Sequence, residues 1–474
     1  MIHIYNTLTK QKELLKPIKP SQLGIYVCGL TVYDDCHIGH GRLLLWFDVL
    51  IRYLRSVGYQ VTYVRNITDI DDKIIKRAQE LNICYQELTD KVIASVHQDE
   101  GLLNIIPPNF EPRVTEHIPE IIAMISTLIN KGFAYITKKG DVYYQISKFP
   151  QYGKLANQTI NNLYSGIRIE INDEKKNPLD FVLWKATESG EPFWSSPWSN
   201  GRPGWHIECS AMAKKYLGKH FDIHGGGIDL QFPHHQNELA QSEAANGTTF
   251  VNYWMHIGFV QYNQEKMSKS IGNFFTLKDI LSKTAPEVFR YFILTSHYRS
   301  PINFSQKNLN NAEIALQRLY IILRDVGCDD NVLEIDSTNQ FYKDFHLAMN
   351  DDFNTPEALS VLFNLVREIN QLCSIKQLSK AKKLTTLLKY LGTTLGLFQN
   401  DPKTFLEFGI DIVVIENLIS SRNIARINKD WILADRIRDK LSAMGIILED
   451  TINDTKWSLE DRCKYLNYLK SNDV

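Results

Sequence analysis

Cysteine is scarce in this sequence of 474 residues, which contains seven cysteines at scattered positions. No two of them form a Cys-x-x-Cys pair. An odd number of scattered cysteines argues against a disulfide framework and fits a reducing compartment. We therefore expect a cytoplasmic protein whose cysteines are core residues, metal ligands or nucleophiles.

Long apolar runs are also missing. The most apolar segment, LLLWFDVLI at 43–51, is short and is interrupted by Asp48, whereas a membrane span needs about 20 apolar residues. The N-terminal stretch does not have the charged region and apolar run of a secretory signal. We expect no membrane partner. The net charge of −1 gives no indication of nucleic acid, which would have to bind a local basic face.

The N-terminal part of the chain has the pattern of a βαβ unit. GIYVC at 24–28 is β-rich, 41–58 has a helical period that ends at Gly58, and 59–67 is again strand-like. Strand, helix and strand over this length predict an α/β fold with a Rossmann-like parallel sheet. Ligands of such sheets bind beyond the carboxyl ends of the strands, near a helix N-terminus. The tetrapeptide His37 to His40 falls at that turn.

The pattern changes further along the chain. GFAYITKKGDVYYQISKF predicts a hairpin, and the polar, Trp-rich segment after it, up to Trp205, predicts long loops. Helix and strand alternate again from 206 to 258, and helices dominate from 306 onward. The predicted units are a first half of the α/β domain (1–115), an inserted subdomain (116–200), a second half (201–258), a connecting region (259–305), a helical bundle (306–400) and a small C-terminal region (401–474).

Two short motifs suggest phosphate chemistry. His37 and His40 lie on one face of a first helical turn, where backbone N–H groups and the helix dipole favour anions. Lys266 and Lys269 lie in EKMSKS, followed by Ile-Gly-Asn, and fit a cationic loop that closes over a polyphosphate. Taken singly, the first motif is as consistent with two polar histidines, and the second with a solvated surface loop.

Together the two motifs resemble the paired HIGH and KMSKS signatures of class I aminoacyl-tRNA synthetases. Within that class the chain closely resembles the cysteinyl-tRNA synthetase family over essentially its whole length. The resemblance is carried by YVCGLTVYDDCHIGHGR, RNITDIDDKII, GRPGWHIECSAM, DIHGGGIDLQFPHHQNELAQSEA, KMSKSIGN, MNDDFNTPEALSVLF and RNIARINKDWILADRIRDKL. It implies that the C-terminal region binds the tRNA anticodon.

The resemblance also implies one zinc ion per chain, held by Cys28, Cys209, His234 and Glu238. These positions span 210 residues, so spacing alone does not show the site. His234 and Glu238 are four apart on a predicted helix and share a face, and two thiolates with an imidazole and a carboxylate suit zinc. Zinc would bind the thiolate of substrate cysteine and so reject serine and alanine. Cys36 is interpreted as a packing residue.

The remaining roles also follow from the resemblance. His37, His40, Lys266 and Lys269, with Mg²⁺, would stabilise the transition state as cysteine attacks the α-phosphate of ATP. The expected partners are ATP, L-cysteine and tRNA(Cys), and the expected state is a monomer. Further implied residues are Gly226, Gly227 and Asp229 at the adenosine, Trp205, His206, His224 and His235 at the cysteine, and Arg422, Arg426, Arg436, Trp431 and Trp457 at the tRNA. The plainer interpretation of the last group is a charged, solvated helix with a core tryptophan.

Two other functions remain open from the sequence. A related ligase that adenylates cysteine and passes it to an amino-sugar would keep zinc and both signatures. A noncatalytic tRNA-binding paralogue would be free to lose the phosphate-binding residues. The long helical C-terminal region favours tRNA as the acceptor, and the intact signatures favour an enzyme.

Overall fold

The fold was analysed in a computed structural model. It describes residues 1–157, 174–187, 190–262, 265–266, 275–329, 335–450, 455–459, 465 and 468. The N-terminal part contains strands β1 His3–Asn6, β2 Gln11–Leu14, β3 Gln22–Thr31 and β4 Gln60–Thr68, and helices α1 Ile38–Ser56, α2 Asp72–Leu81 and α3 Tyr85–Leu102. β3, α1 and β4 form the predicted βαβ unit, since β3 and β4 pair in parallel.

The inserted region contains helix α4 Ile118–Asn130 and strands β5 Ala134–Ile136, β6 Val142–Tyr144, β7 Phe181–Ala186, β8 Trp194–Ser195 and β9 Asn200–Pro203. The predicted hairpin is the antiparallel pair β5 and β6. The prediction of long loops after it was wrong, because β7, β9 and β8 extend this hairpin into a five-stranded sheet. Burial of Leu183 and Trp184 on β7 explains why the segment is ordered as a strand.

The second half of the α/β domain supplies helix α5 Trp205–Leu217, strand β10 Phe221–Gly227, helix α6 Gln236–Asn246 and strand β11 Val251–Ile257. With β3 and β4 these strands form one parallel sheet in the order β11-β10-β3-β4. Successive residues of β3 face two different cores. Ile25 and Val27 pack in one core and Tyr26 and Cys28 in the other, so the sheet is covered on both faces.

Beyond β11 the chain forms a small sheet and then helices. Strands β12 Val260–Tyr262 and β13 Glu265–Lys266 pair antiparallel, and β12 pairs in parallel with the later strand β14 Ile302–Phe304. Helices α7 Leu277–Leu281 and α8 Pro286–Leu294 lie between β13 and β14. The helices that follow are α9 Gln306–Asp325, α10 Gln340–Asn350, α11 Thr355–Ser374, α12 Leu378–Thr394 and α13 Pro402–Leu406.

The C-terminal unit has its own small core. Helices α14 Ile412–Ile427 and α15 Trp431–Ala443 are followed by the antiparallel strands β15 Ile446–Asp450 and β16 Thr455–Leu459. Ile415, Ile437 and Leu441 pack together in this core. None of the helices in the described part of the chain combines the length and the apolar character of a membrane span.

Candidate active site

A cavity of about 370 Å³ opens at the carboxyl ends of the parallel strands. This is where ligands of open α/β sheets bind. Its walls come from the ends of β3, β4, β10 and β11, from the first turn of α1 and from the start of α5. Residues that line it include Cys28, Gly29, Tyr33, His37, His40, Asn66, Thr68, Lys73, Trp205, Cys209, Gly227, Asp229, His234, Gly258 and Phe259.

The two histidines of the HIGH motif form the N-terminal end of α1. His37 is the N-cap residue, and its Nδ1 accepts hydrogen bonds from the backbone N–H of Gly39 at 3.0 Å and of His40 at 3.2 Å. The backbone N–H of His37 donates in turn to Nδ1 of His40 at 3.4 Å. Because both Nδ1 atoms accept, each neutral ring carries its hydrogen on Nε2. The ring centroids are 3.6 Å apart, and each ring therefore carries an Nε2–H donor.

Four predicted metal ligands meet at the other end of the cavity. Their donor atoms lie within 4.8 Å of one another, and all four residues are buried. Cys28 Sγ is 3.2 Å from Glu238 Oε1, and His234 Nε2 is 3.1 Å from the same oxygen. Two sulfur atoms bound to tetrahedral zinc at about 2.3 Å would be about 3.8 Å apart. The Sγ atoms of Cys28 and Cys209 are 3.7 Å apart, so the donor set fits zinc in chemistry and in spacing.

Local backbone geometry brings these donors together. Cys28 lies where the β3–β4 register shifts, between Val27 and Leu30. The next residue must be glycine, because a Cβ atom on Gly29 would be 1.7 Å from the carbonyl oxygen of Asn66. The N–H of Gly29 donates to Asn66 Oδ1 at 3.0 Å. The strand thus continues past Cys28 to Thr31, whereas the sequence predicted that it ends there.

Charge explains why this cluster is suited to a cation. Burial raises the pKa of the Cys28 thiol, and the neighbouring Cys209 and Glu238 raise it further. Burial also opposes ionisation of Cys209, but hydrogen bonds from Cys28 and His234 lower its pKa to about 6. Burial opposes ionisation of Glu238 as well, and the adjacent His224 and His234 hold its pKa well below the usual value. Two thiols and a carboxylate crowded together in a buried site favour a bound cation.

A second set of donors shares two of these residues. Cys28, His224, His235 and Glu238 also bring their donor atoms within 4.8 Å. The first set is the better candidate because it supplies two sulfur ligands. In addition, Cys28, Cys209 and His234 line the cavity, where a substrate could reach a metal ion. His224 Nε2 instead donates to Glu238 Oε2 at 2.8 Å, and its ring stacks on that of Trp254.

The predicted cysteine-binding residues take two kinds of position. Trp205 lines the cavity, with its ring 4.4 Å from that of His234. His206, His224 and His235 lie against the ligand cluster. His206 Nδ1 is 2.9 Å from His234 Nδ1, and His235 Nε2 is 3.9 Å from Glu238 Oε1. Such contacts orient metal ligands in other proteins.

The predicted ATP residues are only partly described. Gly227 and Asp229 line the cavity. Gly226 lies beside them, and a Cβ atom there would be 2.7 Å from the ring of His235. The backbone of Lys266 pairs with Gln261 at the edge strand β13. The side chain of Lys266 and the whole of Lys269 lie outside the described residues.

The predicted tRNA-binding residues do not all face solvent. Arg422 is buried and forms two hydrogen bonds to the carboxylate of Asp450, at 2.9 and 2.8 Å. Arg426 also pairs with Asp450, at 2.9 Å. Trp457 packs against the C-terminal core. Arg436 is exposed, and Trp431 is 58% exposed at the start of α15.

Sequence reasoning missed several residues that line the cavity. Asn66 Oδ1 accepts from Gly29 and lies 3.5 Å from Cys209 Sγ, which links the β4 end to the ligand cluster. Lys73 brings a positive charge to the cavity wall, 5.7 Å from the ring centroid of Tyr33. Lys73 lies in RNITDIDDKII, which carries part of the family resemblance, but nothing local distinguishes it from a surface lysine.

A third group of acidic and histidine side chains is already occupied by a cation. His97, Glu100 and Glu111 could hold a metal by distance alone. The guanidinium of Arg65 lies between the two carboxylates, 2.5 Å from each. We therefore do not interpret this group as a metal site.

Comparison with known proteins defines the class first. The family model for the class I (C) tRNA synthetase catalytic domain matches residues 14–314, and the DALR domain model matches 344–399. Methionyl-tRNA synthetase of Mycobacterium tuberculosis, solved with methionyl-adenylate, shares the fold at 14% identity and a TM-score of 0.58. That match covers 81% of this chain and 91% of the other. The fold and the paired motifs are those of a class I aminoacyl-tRNA synthetase.

Curated relatives define the family within the class. Cysteine–tRNA ligase of Haemophilus influenzae (strain PittGG) is 55% identical over 96% of this chain and 99% of its own. Cysteine–tRNA ligase of Methylococcus capsulatus (strain Bath) is 54% identical over 97% of this chain and all of its own. The chain belongs to the cysteine–tRNA ligase family.

Proposed function

We propose that this protein activates L-cysteine with ATP and transfers it from cysteinyl-adenylate to the 3′ end of tRNA(Cys). The observation that carries the proposal is the shared cavity. The stacked histidines of the HIGH motif and three of the four donors, Cys28, Cys209 and His234, line the same space of about 370 Å³. An amino acid held by its side chain at the cluster would direct its carboxylate towards the phosphate-binding end.

The roles of the side chains follow from this arrangement. Nε2–H groups of His37 and His40 donate to ATP phosphates and stabilise the charge that develops there, with Lys266 and Lys269 from the other signature. Asp229 binds the ribose hydroxyls and Gly226 and Gly227 border the adenosine. Mg²⁺ accompanies ATP. The carboxylate of cysteine is itself the nucleophile, so no thiol of the protein forms a covalent intermediate.

Selection of cysteine is assigned to Cys28, Cys209, His234 and Glu238. These residues would hold one zinc ion, which when bound supplies a soft position for the thiol of the substrate. Trp205 closes the side of this pocket. His206, His224 and His235 fix the orientation of the ligands and thereby serve the cysteine site. A pocket that distinguishes small side chains by size alone reaches only about 1–3 kcal/mol, so a chemical contact to sulfur is needed.

The acceptor is assigned to tRNA on the strength of the C-terminal unit. Trp431 and Arg436 are solvent-exposed and can contact unpaired bases and phosphates. Arg422 and Trp457 support that surface from within the unit, and Arg426 lies on it, paired with Asp450. We further propose that the protein acts as a monomer in the cytoplasm.

Transfer of labelled cysteine to tRNA tests this function. The protein should catalyse cysteine-dependent exchange of pyrophosphate into ATP and should charge tRNA(Cys) with cysteine. Exchange without charging would favour the ligase that uses an amino-sugar acceptor. Absence of both reactions in zinc-loaded protein would favour the noncatalytic paralogue.

A further inference from the structure

Arg42 is a buried cation whose partners are all backbone carbonyl groups. It lies on α1, two residues after His40, and is 1% exposed. Its guanidinium donates to the carbonyl oxygens of Gly258, Phe259, His297, Tyr298 and Ser300 at 2.5–3.2 Å. Within the part of the chain that the structure describes, these partners include no carboxylate. Burial lowers the pKa of Arg42 to about 10.

The five carbonyl groups come from two segments that surround the second signature. Gly258 and Phe259 connect β11 to β12, and 297–300 precede β14. β12 and β14 belong to the three-stranded sheet whose edge strand contains Lys266. Gly258 and Phe259 also line the cavity. Arg42, a single side chain of the HIGH helix, therefore contacts two parts of the structure. One is the cavity wall, and the other is the pair of segments leading into the sheet where the KMSKS motif begins, at Lys266.

The two segments are already packed as closely as glycine permits. The N–H of Gly258 donates to the Tyr298 carbonyl at 2.8 Å. A Cβ atom on Gly258 would be 2.6 Å from the carbonyl oxygen of Ser300. Arg42 fastens this pair of segments to α1, so the wall cannot shift without breaking several charged hydrogen bonds.

A second link joins the other side of the KMSKS segment to α1. The N–H of Leu277 donates to the Cys36 carbonyl at 2.7 Å, and the N–H of Ile38 donates to the Phe275 carbonyl at 3.2 Å. Both described flanks of residues 267–274 are thus tied to the start of the HIGH helix. This second link uses backbone atoms, whereas the Arg42 link uses a side chain and can be changed by mutation.

We propose that Arg42 is a positioning residue for ATP, which holds the Gly258–Phe259 wall and the β12–β13–β14 sheet at a fixed distance from His37 and His40. The inference rests on the proposed function, because it takes the cavity between these parts as the nucleotide site. A guanidinium is required because its planar fork reaches carbonyls on two segments at once. The ammonium group of lysine is a single point with three donors and would hold one segment only.

Arg42→Lys and Arg290→Lys form a matched pair for the test. Arg290 is equally buried and donates to Asp48 and to the carbonyls of Leu103 and Asn104. Both variants lose a buried guanidinium and should unfold at a lower temperature. We expect only Arg42→Lys to raise KM for ATP, by about tenfold, because a displacement of about 1 Å can cost up to ~100-fold. KM for cysteine and zinc content should stay near the wild-type values.

Gly258→Ala changes the same wall without removing a charge. It should also raise KM for ATP selectively, and it provides the answer if Arg42→Lys fails to fold. Affinity for a non-hydrolysable ATP analogue, measured calorimetrically on all four proteins, is the readout independent of turnover.

Wild-type protein that binds the analogue but catalyses no cysteine-dependent exchange would overturn the proposed function and not this inference. Analogue affinity that is unchanged in Arg42→Lys and Gly258→Ala, or that falls equally in Arg290→Lys, would overturn the role of Arg42.

Discussion

Cys28 Sγ lies 3.7 Å from Cys209 Sγ, although 181 positions separate the two residues in the chain. Cys28 comes from the irregular part of β3 and Cys209 from the middle of α5. Their separation is the one expected for two ligands of the same tetrahedral zinc ion. Two parts of the α/β domain that are distant in sequence therefore each supply a sulfur ligand to one candidate zinc site.

Replacing Cys209 with serine should remove most of the bound zinc. Serine is a harder and much less acidic ligand than cysteine, so the loss of affinity should exceed the roughly 10- to 100-fold typical of outer-shell changes. Metal content measured after dialysis against a chelator gives the result. Cys36→Ala is the control, since Cys36 is equally buried but belongs to neither candidate ligand set. Stoichiometric zinc in Cys209→Ser would contradict the assignment.

His224→Gln distinguishes two roles for His224: orienting the metal ligand Glu238, as proposed, or contacting the substrate cysteine. If His224 orients Glu238, the variant should bind zinc about 10- to 100-fold more weakly. If His224 contacts the substrate directly, zinc affinity should be unchanged and KM for cysteine should rise. His346→Gln, at a half-buried histidine beside Tyr53, controls for the general cost of replacing a packed imidazole.

Variants of His37 separate its structural role from its chemical one. His37→Asn keeps a side-chain acceptor at the helix N-cap, whereas His37→Ala loses it at a cost of about 0.5–2 kcal/mol in the free energy of unfolding. Both lose the Nε2–H donor, and both should lower kcat for pyrophosphate exchange about 100- to 1000-fold. Denaturant titration and exchange kinetics measure the two effects. An activity loss confined to His37→Ala, in step with its loss of stability, would refute a role at the phosphates.

Trp431→Ala should impair charging of tRNA while leaving amino-acid activation intact. Stacking of a base on an aromatic ring is worth about 1–3 kcal/mol, or roughly a 5- to 150-fold rise in KM for tRNA. Trp457→Ala is the comparison, because it removes a side chain that packs against the C-terminal core and should mainly lower stability. If Trp431→Ala charges tRNA normally, α15 does not contact unpaired bases in the way proposed.

The sequence predicts much of the α/β domain because local signals agree there. The apolar period of α1, the β-rich strands on either side and the motif at the turn between them all favour a βαβ unit. The inserted sheet was missed because β7, β8 and β9 are short and are separated by Gly, Pro and Ser. The folding of this segment into strands depends on burial of Trp184, which only tertiary structure reveals.

The functional site could be predicted less completely than the fold. Spacing places His234 on the same face as Glu238, but His235 is three residues from Glu238 and satisfies the same rule. The irregular turn Gln231–His235 and the packing of His235 against His256 decide between them. The ion-pair partners of the C-terminal arginines could not be predicted from the sequence either. Asp450 accepts from Arg422 and Arg426 across 28 and 24 positions, so charge patterning alone overstated the basic surface.

The ratio of kcat/KM for cysteine to that for serine, in pyrophosphate exchange, tests the central claim most directly. A pocket that senses size alone would give a ratio of about 10 to 200. If Cys28, Cys209, His234 and Glu238 select sulfur through zinc, the wild-type ratio should exceed about 10,000, and Cys209→Ser should lose most of that preference. A Cys209→Ser protein that retains activity and the full wild-type ratio would contradict the account.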